Sequence, residues 1–385
     1  MKNLLLLFIV TSFSLFGEKI TVIGIGRLGI CHALSLEKAG YEVLGVDISP
    51  EYIQSINEKT FRSSEPLVNE YLLTSRNFQA TTSLKEGLDY SDVYFIMVPT
   101  PNVARPEAYD HDILSKTLSD INEFKVSNKH IIISCTVFPE YIRTIAMDLI
   151  RDCNNTTISY NPEFIAQGDI IQGLQSPDMV LIGEESKEAG NRIEKIYRKC
   201  CMNTPAICRM SIESAEITKL ALNCFITMKI AFANLIGDIA DSTKGTDKIA
   251  ILNAVGQDQR IGSKCLKPGY GFGGPCLSRD NRALGNFSAL KGIEPVVFRT
   301  TDIANRMHAE YMATQLLNQK LDSYVFEDVC YKSNCAVPII DESQKLAVAK
   351  ILAEKGLKVM IKDNQNVVLQ VKKQFGDLFT YSVCP

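Results

Sequence analysis

Lys19-Ile20-Thr21-Val22-Ile23-Gly24-Ile25-Gly26-Arg27-Leu28-Gly29, with Asp47 eighteen residues beyond, is the stretch that decides the fold. The β-branched run 19–23 reads as a short strand, a helical pattern follows through Leu36 to Ala39, and Gly40 ends it. Residues 41–47 read as a second strand that finishes on an acid. A lone G-x-G-x-x-G is weak. Between a strand and a helix, with an acid closing the next strand, it marks a dinucleotide-binding βαβ unit. Gly24, Ile25, Gly26, Arg27, Leu28 and Gly29 are therefore candidate cofactor contacts. The glycines allow a tight turn and close approach of a pyrophosphate, and the helix N-terminus faces it. Asp47 can hydrogen-bond ribose hydroxyls and would repel a 2′-phosphate. No arginine directly follows it, so the expected cofactor is NAD and not NADP.

Around this unit, 385 residues suffice for two or three domains with proper cores. The composition, 46% hydrophobic and 22% charged, is that of a soluble globular protein. A net charge of −3 and the lack of any basic run argue against a nucleic-acid partner, so an anionic ligand must be held by helix N-termini and a few cations. The twelve cysteines include no C-x-x-C pair and the four histidines are scattered, which gives no zinc-like spacing and no expected metal. In a chain this long the cysteines read mainly as reduced core residues. Residues 1–17, with a basic start, the apolar run Leu4 to Val10 and small residues after it, read as a signal-like segment too short for a confident membrane span.

Further strands are expected at 93–98, before Pro99-Thr100-Pro101, and at 130–134, before Cys135-Thr136. Ligands of open α/β sheets bind at strand C-termini, so Thr100 and Thr136 are candidate contacts, with a turn cap as the plain alternative for each. Residues 213–243 read as one long helix of roughly 45 Å at ~1.5 Å per residue. Ile217, Leu220, Cys224, Met228, Ala231, Leu235 and Ile239 recur on it at the spacing of a buried stripe. Lys219 and Asn223 share one face of it. Helices are expected at 247–255, 282–291 and 300–317. Strands are expected at 323–330, 357–362 and 378–383, alternating with helices at 341–355 and 367–375. The expected class is α/β, in three parts. A Rossmann dinucleotide-binding domain fills 18–210. A central helical, dimerising domain fills 211–300. A second, smaller Rossmann-like α/β domain fills 301–385.

The chemistry concentrates in Lys267-Pro268-Gly269-Tyr270-Gly271-Phe272-Gly273-Gly274-Pro275-Cys276-Leu277-Ser278-Arg279-Asp280. So many glycines and prolines make a loop whose backbone can approach a ligand closely. Cys276 ends the run with a cation, Arg279, close behind. A cation near a thiol favours the nucleophilic thiolate.

This loop resembles that of the UDP-glucose/GDP-mannose dehydrogenase family, the nucleotide-sugar 6-dehydrogenases, which carry G-F-G-G-x-C and then x-x-Lys-Asp. Gly271 to Cys276 and Asp280 match, and Arg279 stands at the lysine. Asp258 to Gly262 also resembles the family, and Pro162-Glu163-Phe164-Ile165-Ala166-Gln167-Gly168 resembles its P-E-F-x-x-E-G, with Gln167 at the second glutamate. The resemblance implies oxidation of a sugar C6 alcohol to a carboxylate with two NAD⁺ reduced, through a thiohemiacetal and then a thioester on Cys276. It implies Lys219, Asn223 and Asp280 as oxyanion and proton-relay groups, and Glu163 with Thr136 placing the hydrolytic water. It places Arg279 beside the cofactor. Phe164, Lys219, Asn223, Tyr270, Gly271, Phe272, Gly273 and Lys332 would hold the substrate, and Arg260 would reach the sugar of a neighbouring subunit in a homodimer. Asp341-Glu342-Ser343 departs from the family's Arg-Glu-Ser, and Pro385 falls before the family's usual end, so part of the uridine pocket is expected to be missing. Three readings follow: a UDP-glucose 6-dehydrogenase, a GDP-mannose 6-dehydrogenase, or a dinucleotide-binding homologue without turnover. Cytosolic substrates imply a cytoplasmic location despite the signal-like start.

Overall fold

Strand β1 (Lys19–Ile23) is buried on both sides from Ile20 to Ile23, as in a strand covered on two faces. It lies inside an eight-stranded sheet in a computed structural model that describes residues 17–101, 109–165, 167–332 and 337–384. Residues 1–16 of the signal-like segment lie outside them. After β1 come α1 (Arg27–Lys38), β2 (Glu42–Val46), α2 (Pro50–Asn57), α3 (Val68–Thr74), β3 (Phe78–Thr81), α4 (Leu84–Tyr90), β4 (Val93–Ile96), α5 (Asp112–Glu123) and β5 (His130–Ile133). A π-turn (Ile142–Ala146) runs into α6 (Met147–Leu149), followed by β6 (Thr157–Tyr160), α7 (Ile170–Gln175), β7 (Met179–Gly183), α8 (Lys187–Cys200) and β8 (Ala206–Met210).

The strand order is β3-β2-β1-β4-β5-β6-β7-β8. Its first six strands are parallel and follow the doubly wound dinucleotide-binding order; β7 then joins β6 antiparallel through Tyr160 and Gly183, and β8 runs parallel to β7. The order reverses at β1, between β2 and β4, so the glycine turn and the Thr100 segment flank one crevice.

The long helix is α9 (Ile212–Asp241), begun by the Ser211 hydroxyl accepting from the Ser214 amide. It packs on α11 (Gly274–Leu290), α12 (Val296–Asn318), β7 and α10 (Lys248–Gln257). A three-stranded parallel sheet, β11-β10-β9, closes the fold: β9 (Tyr324–Glu327), α13 (Gln344–Glu354), β10 (Val359–Asp363), α14 (Gln365–Phe375) and β11 (Thr380–Val383). Among the described residues every cysteine is free.

Two expectations are corrected. On α9, Leu220, Cys224 and Ala231 are buried, but Ile217, Met228, Leu235 and Ile239 are exposed, together with Phe225 and Phe232. The helix is apolar around most of its circumference, so a three-four spacing could not tell the packed face from the uncovered one. Helix α11 begins at Gly274 and not at 282, because Pro275 fits the first turn of a helix as well as it fits a loop. Cys276 therefore stands in a helical first turn.

Glu216 fastens α9 to the π-turn. It has no exposed surface, and its oxygens accept from the amides of Glu140 (2.7 Å) and Ile142 (3.0 Å). Burial pushes its carboxyl up to about 7, against those two amides, which pull it down. A folded-state value above the ordinary 4.5 stabilises the fold at low pH, and that contribution is lost as pH rises through about 7. Glu216→Ala should cost about 2–4 kcal/mol in urea unfolding by stranding two buried donors. Glu216→Gln should gain on the wild type in melting temperature as pH rises from 5 to 8, and a pH-independent difference would refute the assignment.

Candidate active site

The crevice at the sheet's switch point is shaped for a dinucleotide. Gly24 has φ +86°, and a Cβ there would lie 2.9 Å from the Met97 carbonyl oxygen. A Cβ on Gly29 would lie 2.0 Å from the Gly24 oxygen, so the turn and α1 close on each other only without side chains. A Cβ on Gly26 would meet nothing within 4 Å, which leaves open space at the start of α1. That helix has neither a side-chain cap nor an acid in its first turn, so its free amides suit a pyrophosphate. Ile25 is buried and offers only its backbone, whose carbonyl accepts from the Tyr52 hydroxyl at 2.7 Å. Leu28 packs on the core. Arg27 is exposed and donates to Gln167 Oε1 at 2.7 Å, tying the turn to the loop after β6. Asp47, just past β2, has one carboxylate oxygen 3.4 Å from the Ser49 amide. These residues fit NAD.

The Cys276 side chain is exposed, at the third residue of α11, where the helix dipole favours a thiolate. Burial of the surrounding site nevertheless raises the thiol above its ordinary value. Arg279 and Lys219 pull it down and Asp280 pushes it up. Desolvation thus outweighs both cations.

Asp280 has no exposed surface. Its Oδ2 accepts from Asn223 Nδ2 at 2.6 Å, and its Oδ1 from the Tyr109 hydroxyl at 2.6 Å and Arg279 Nε at 3.2 Å. Arg279 lies with its guanidinium 4.5 Å from the Tyr109 ring centre and donates to the Thr100 carbonyl at 3.3 Å. The cysteine's helix therefore abuts the segment after β4. Lys219, 7% exposed, donates to the Glu163 carbonyl at 2.7 Å and lies 4.5 Å from the Phe164 ring. Burial lowers its ammonium, while Asp280 and Cys276 pull it back up.

Glu163 sits against α8 and α1. Its carboxylate accepts from the Tyr197 hydroxyl on α8 at 2.5 Å and lies 3.6 Å from His32 Nδ1 on α1, and no hydrogen bond joins it to Thr136. Thr136 is half-buried after β5. Burial pushes Glu163 up to about 7, against Tyr197 and Lys219. Burial takes His32 down to about 3, so it is neutral.

The glycine run is filled mostly by protein. A Cβ on Gly271 would lie 2.1 Å from Asn305 Oδ1, on Gly273 2.3 Å from the Glu342 carbonyl oxygen, and on Gly274 2.4 Å from the Tyr331 ring. Phe272 is buried, with its amide and carbonyl both bonded to Asn305 at 2.9 Å. Gly271, Phe272 and Gly273 thus pack against α12 and the C-terminal domain. Tyr270 is 39% exposed, with Lys345 Nζ 5.7 Å from its ring centre. Arg260 is on the surface and paired with Asp258 of its own chain at 2.7 Å, and Lys332 is exposed. Tyr109, Tyr197 and His32 escaped the sequence reading. Only His32, polar in the apolar run of α1, carried a local signal.

Two sequence models of one family match the chain: "UDP-glucose/GDP-mannose dehydrogenase family, NAD binding domain" over residues 18–201, and its central domain over residues 213–307. A GDP-mannose 6-dehydrogenase of Pseudomonas aeruginosa is 32% identical over 280 residues, 69% of this chain and 63% of that protein. A UDP-glucose 6-dehydrogenase of Bacillus subtilis is 30% identical over 274 residues, 69% of this chain and 60% of that protein. In both, the match spans less than two thirds of the relative. The solved structure of a UDP-glucose dehydrogenase from Pyrobaculum islandicum superposes with a TM-score of 0.84 at 25% identity, covering 96% of this chain and 87% of that one. With the crevice, the cysteine helix and these matches together, the chain belongs to the UDP-glucose/GDP-mannose dehydrogenase family.

Proposed function

We propose that the protein is an NAD-dependent nucleotide-sugar 6-dehydrogenase that oxidises UDP-glucose to UDP-glucuronate in the cytosol. The observation that carries this is the contact of Arg279, on the Cys276 helix, with the Thr100 carbonyl at the dinucleotide crevice, which joins an accessible thiol to the cofactor site. GDP-mannose is the second reading, supported by the 32% identity to the Pseudomonas aeruginosa protein.

NAD⁺, held by the Gly24–Gly29 turn and Asp47, supplies the hydride acceptor. The chain's residues do the rest. Lys219 and Asn223 flank Asp280 on the site's inner wall and stabilise negative charge on the C6 oxygen, each such donor being worth about 3 kcal/mol in the barrier. The Cys276 sulfur bonds to the aldehyde carbon while the carbonyl pair moves to oxygen, and the thiol proton leaves to solvent past the exposed side chain. The aldehyde cannot escape once bound. Glu163, with its proton poised near neutrality, takes the proton of the water that cleaves the final thioester, with Thr136 orienting that water. Arg279 keeps its proton throughout, so it stabilises charge and does not act as a base.

NADH appearance at 340 nm with a panel of nucleotide sugars tests the substrate. Two NADH per UDP-glucose are expected, two per GDP-mannose select the second reading, and cofactor binding without turnover refutes both. Cys276→Ser should stop after the first oxidation, and full turnover by that variant would end the covalent account. Activity should rise as pH passes about 7 and Glu163 loses its proton. Glu163→Gln should abolish that limb and slow turnover by about 10²-fold or more, whereas an unchanged pH profile counts against the role.

We also propose a homodimer. Phe225, Met228, Phe232, Leu235 and Ile239 leave one face of α9 apolar and uncovered, 37–61% exposed, which suits a self-complementary two-fold contact. Light scattering should give twice the chain mass, and Phe232→Glu should halve it; a wild-type monomer would refute the assembly.

A further inference from the structure

Tyr109 lies in the segment between β4 and α5, outside both helices that carry the active-site groups, yet it is 2% exposed and inserted between them. It belongs to one buried cluster with Phe138, Leu220, Cys224, Ala283, Leu284 and Phe287. Its hydroxyl gives Asp280 Oδ1 that oxygen's shorter bond, 2.6 Å against 3.2 Å from Arg279. Its ring face carries the Arg279 guanidinium at 4.5 Å. We propose that Tyr109 is a positioning residue for the Cys276 chemistry: one side chain holds Asp280 by its hydroxyl and Arg279 by its ring, and so fixes the two charged groups that follow the nucleophile within one turn of its helix. This rests on reading Cys276 as the nucleophile.

The geometry explains why a guanidinium suits position 279. A planar cation lies flat on an aromatic face and still directs N–H groups in its own plane, here to Asp280 and to the Thr100 carbonyl. A lysine ammonium would act there as a point charge, with no planar face to lie along the ring. Tyr109 stays a neutral donor, because burial and then Asp280 raise its hydroxyl well above its ordinary value. The charged and titratable groups around this cluster are Arg279 and Asp280 from α11, Lys219 and Cys224 from α9, Tyr160 from β6, and His111, whose ring centre is 6.0 Å from that of Tyr109. Of these, Arg279, Asp280 and Lys219 act on the Cys276 thiol. Without the Tyr109 hydroxyl, Asp280 Oδ1 keeps only Arg279. The carboxylate charge beside the thiol is then less dispersed, and Arg279 is drawn toward it from Thr100.

The test is the pH dependence of iodoacetamide alkylation of Cys276 in the whole protein. It is read by mass spectrometry of the Cys276 peptide, because Cys265 is also exposed. Tyr109→Phe keeps the ring and removes only the hydroxyl. It should move the alkylation midpoint upward and slow the reaction about threefold at pH 7.5, the equivalent of half a pH unit. Because the effect passes through Asp280, Tyr109→Phe should add nothing in an Asp280→Asn background. An unshifted midpoint, or an equal slowing in that background, would overturn the proposal. Far-UV circular dichroism and NAD binding of Tyr109→Phe should match the wild type, which separates positioning from misfolding. Alkylation needs no sugar turnover, so a failed dehydrogenase assay and a failed Tyr109 test are distinguishable.

Discussion

A carboxylate with no surface in contact with water can stand only where donors meet it on several sides. Asp280 is such a group, and its donors come from three separate parts of the chain: Asn223 on α9, Arg279 on its own helix, and Tyr109 from the segment before α5. Removing any one leaves charge uncompensated in a medium that solvates it poorly. The attachment of the central helices to the dinucleotide-binding sheet is therefore an electrostatic necessity as well as an apolar contact. Lys219 adds a second tie by the same logic. Its ammonium, sunk in α9, reaches out of the helix to the Glu163 carbonyl after β6.

The dinucleotide half was the most legible part of the chain. Buried parallel strands such as Ile131-Ile132-Ile133 are continuous apolar runs, and the Gly24–Gly29 turn is dictated by contacts that leave no room for a Cβ. The second sheet was equally visible from its alternation of short strands and helices. Strands β3, β6, β7 and β8 escape the sequence reading: Phe78–Thr81 and Thr157–Tyr160 are brief, and Ala206–Met210 is only partly covered. Within the site, Cys276, Lys219, Asn223 and Asp280 do come together. What the sequence could not carry was which way side chains turn. The Glu163 carboxylate faces Tyr197 and His32, and that orientation is settled by α8 and α1, far away along the chain.

The uncovered face of α9 illustrates a related limit. A helix apolar all round gives a periodicity signal on every side, so the sequence identified the helix without saying which stripe meets α11. By length and composition α9 could also span a membrane. In the fold its buried face is in contact with α11, α12 and β7.

The glycines before Cys276 have a mechanical consequence. The Gly274 amide donates to the Asp341 carbonyl at 2.9 Å, and Gly273 fits against Glu342 with no space for a single methyl. Both glycines lie within three residues of the sulfur, while Asp341 and Glu342 lead directly into α13. A rotation of the C-terminal sheet would drag the first turn of α11 with it. The Cys276 sulfur and that lobe are mechanically joined at this point, so a movement of the lobe reaches the thiol.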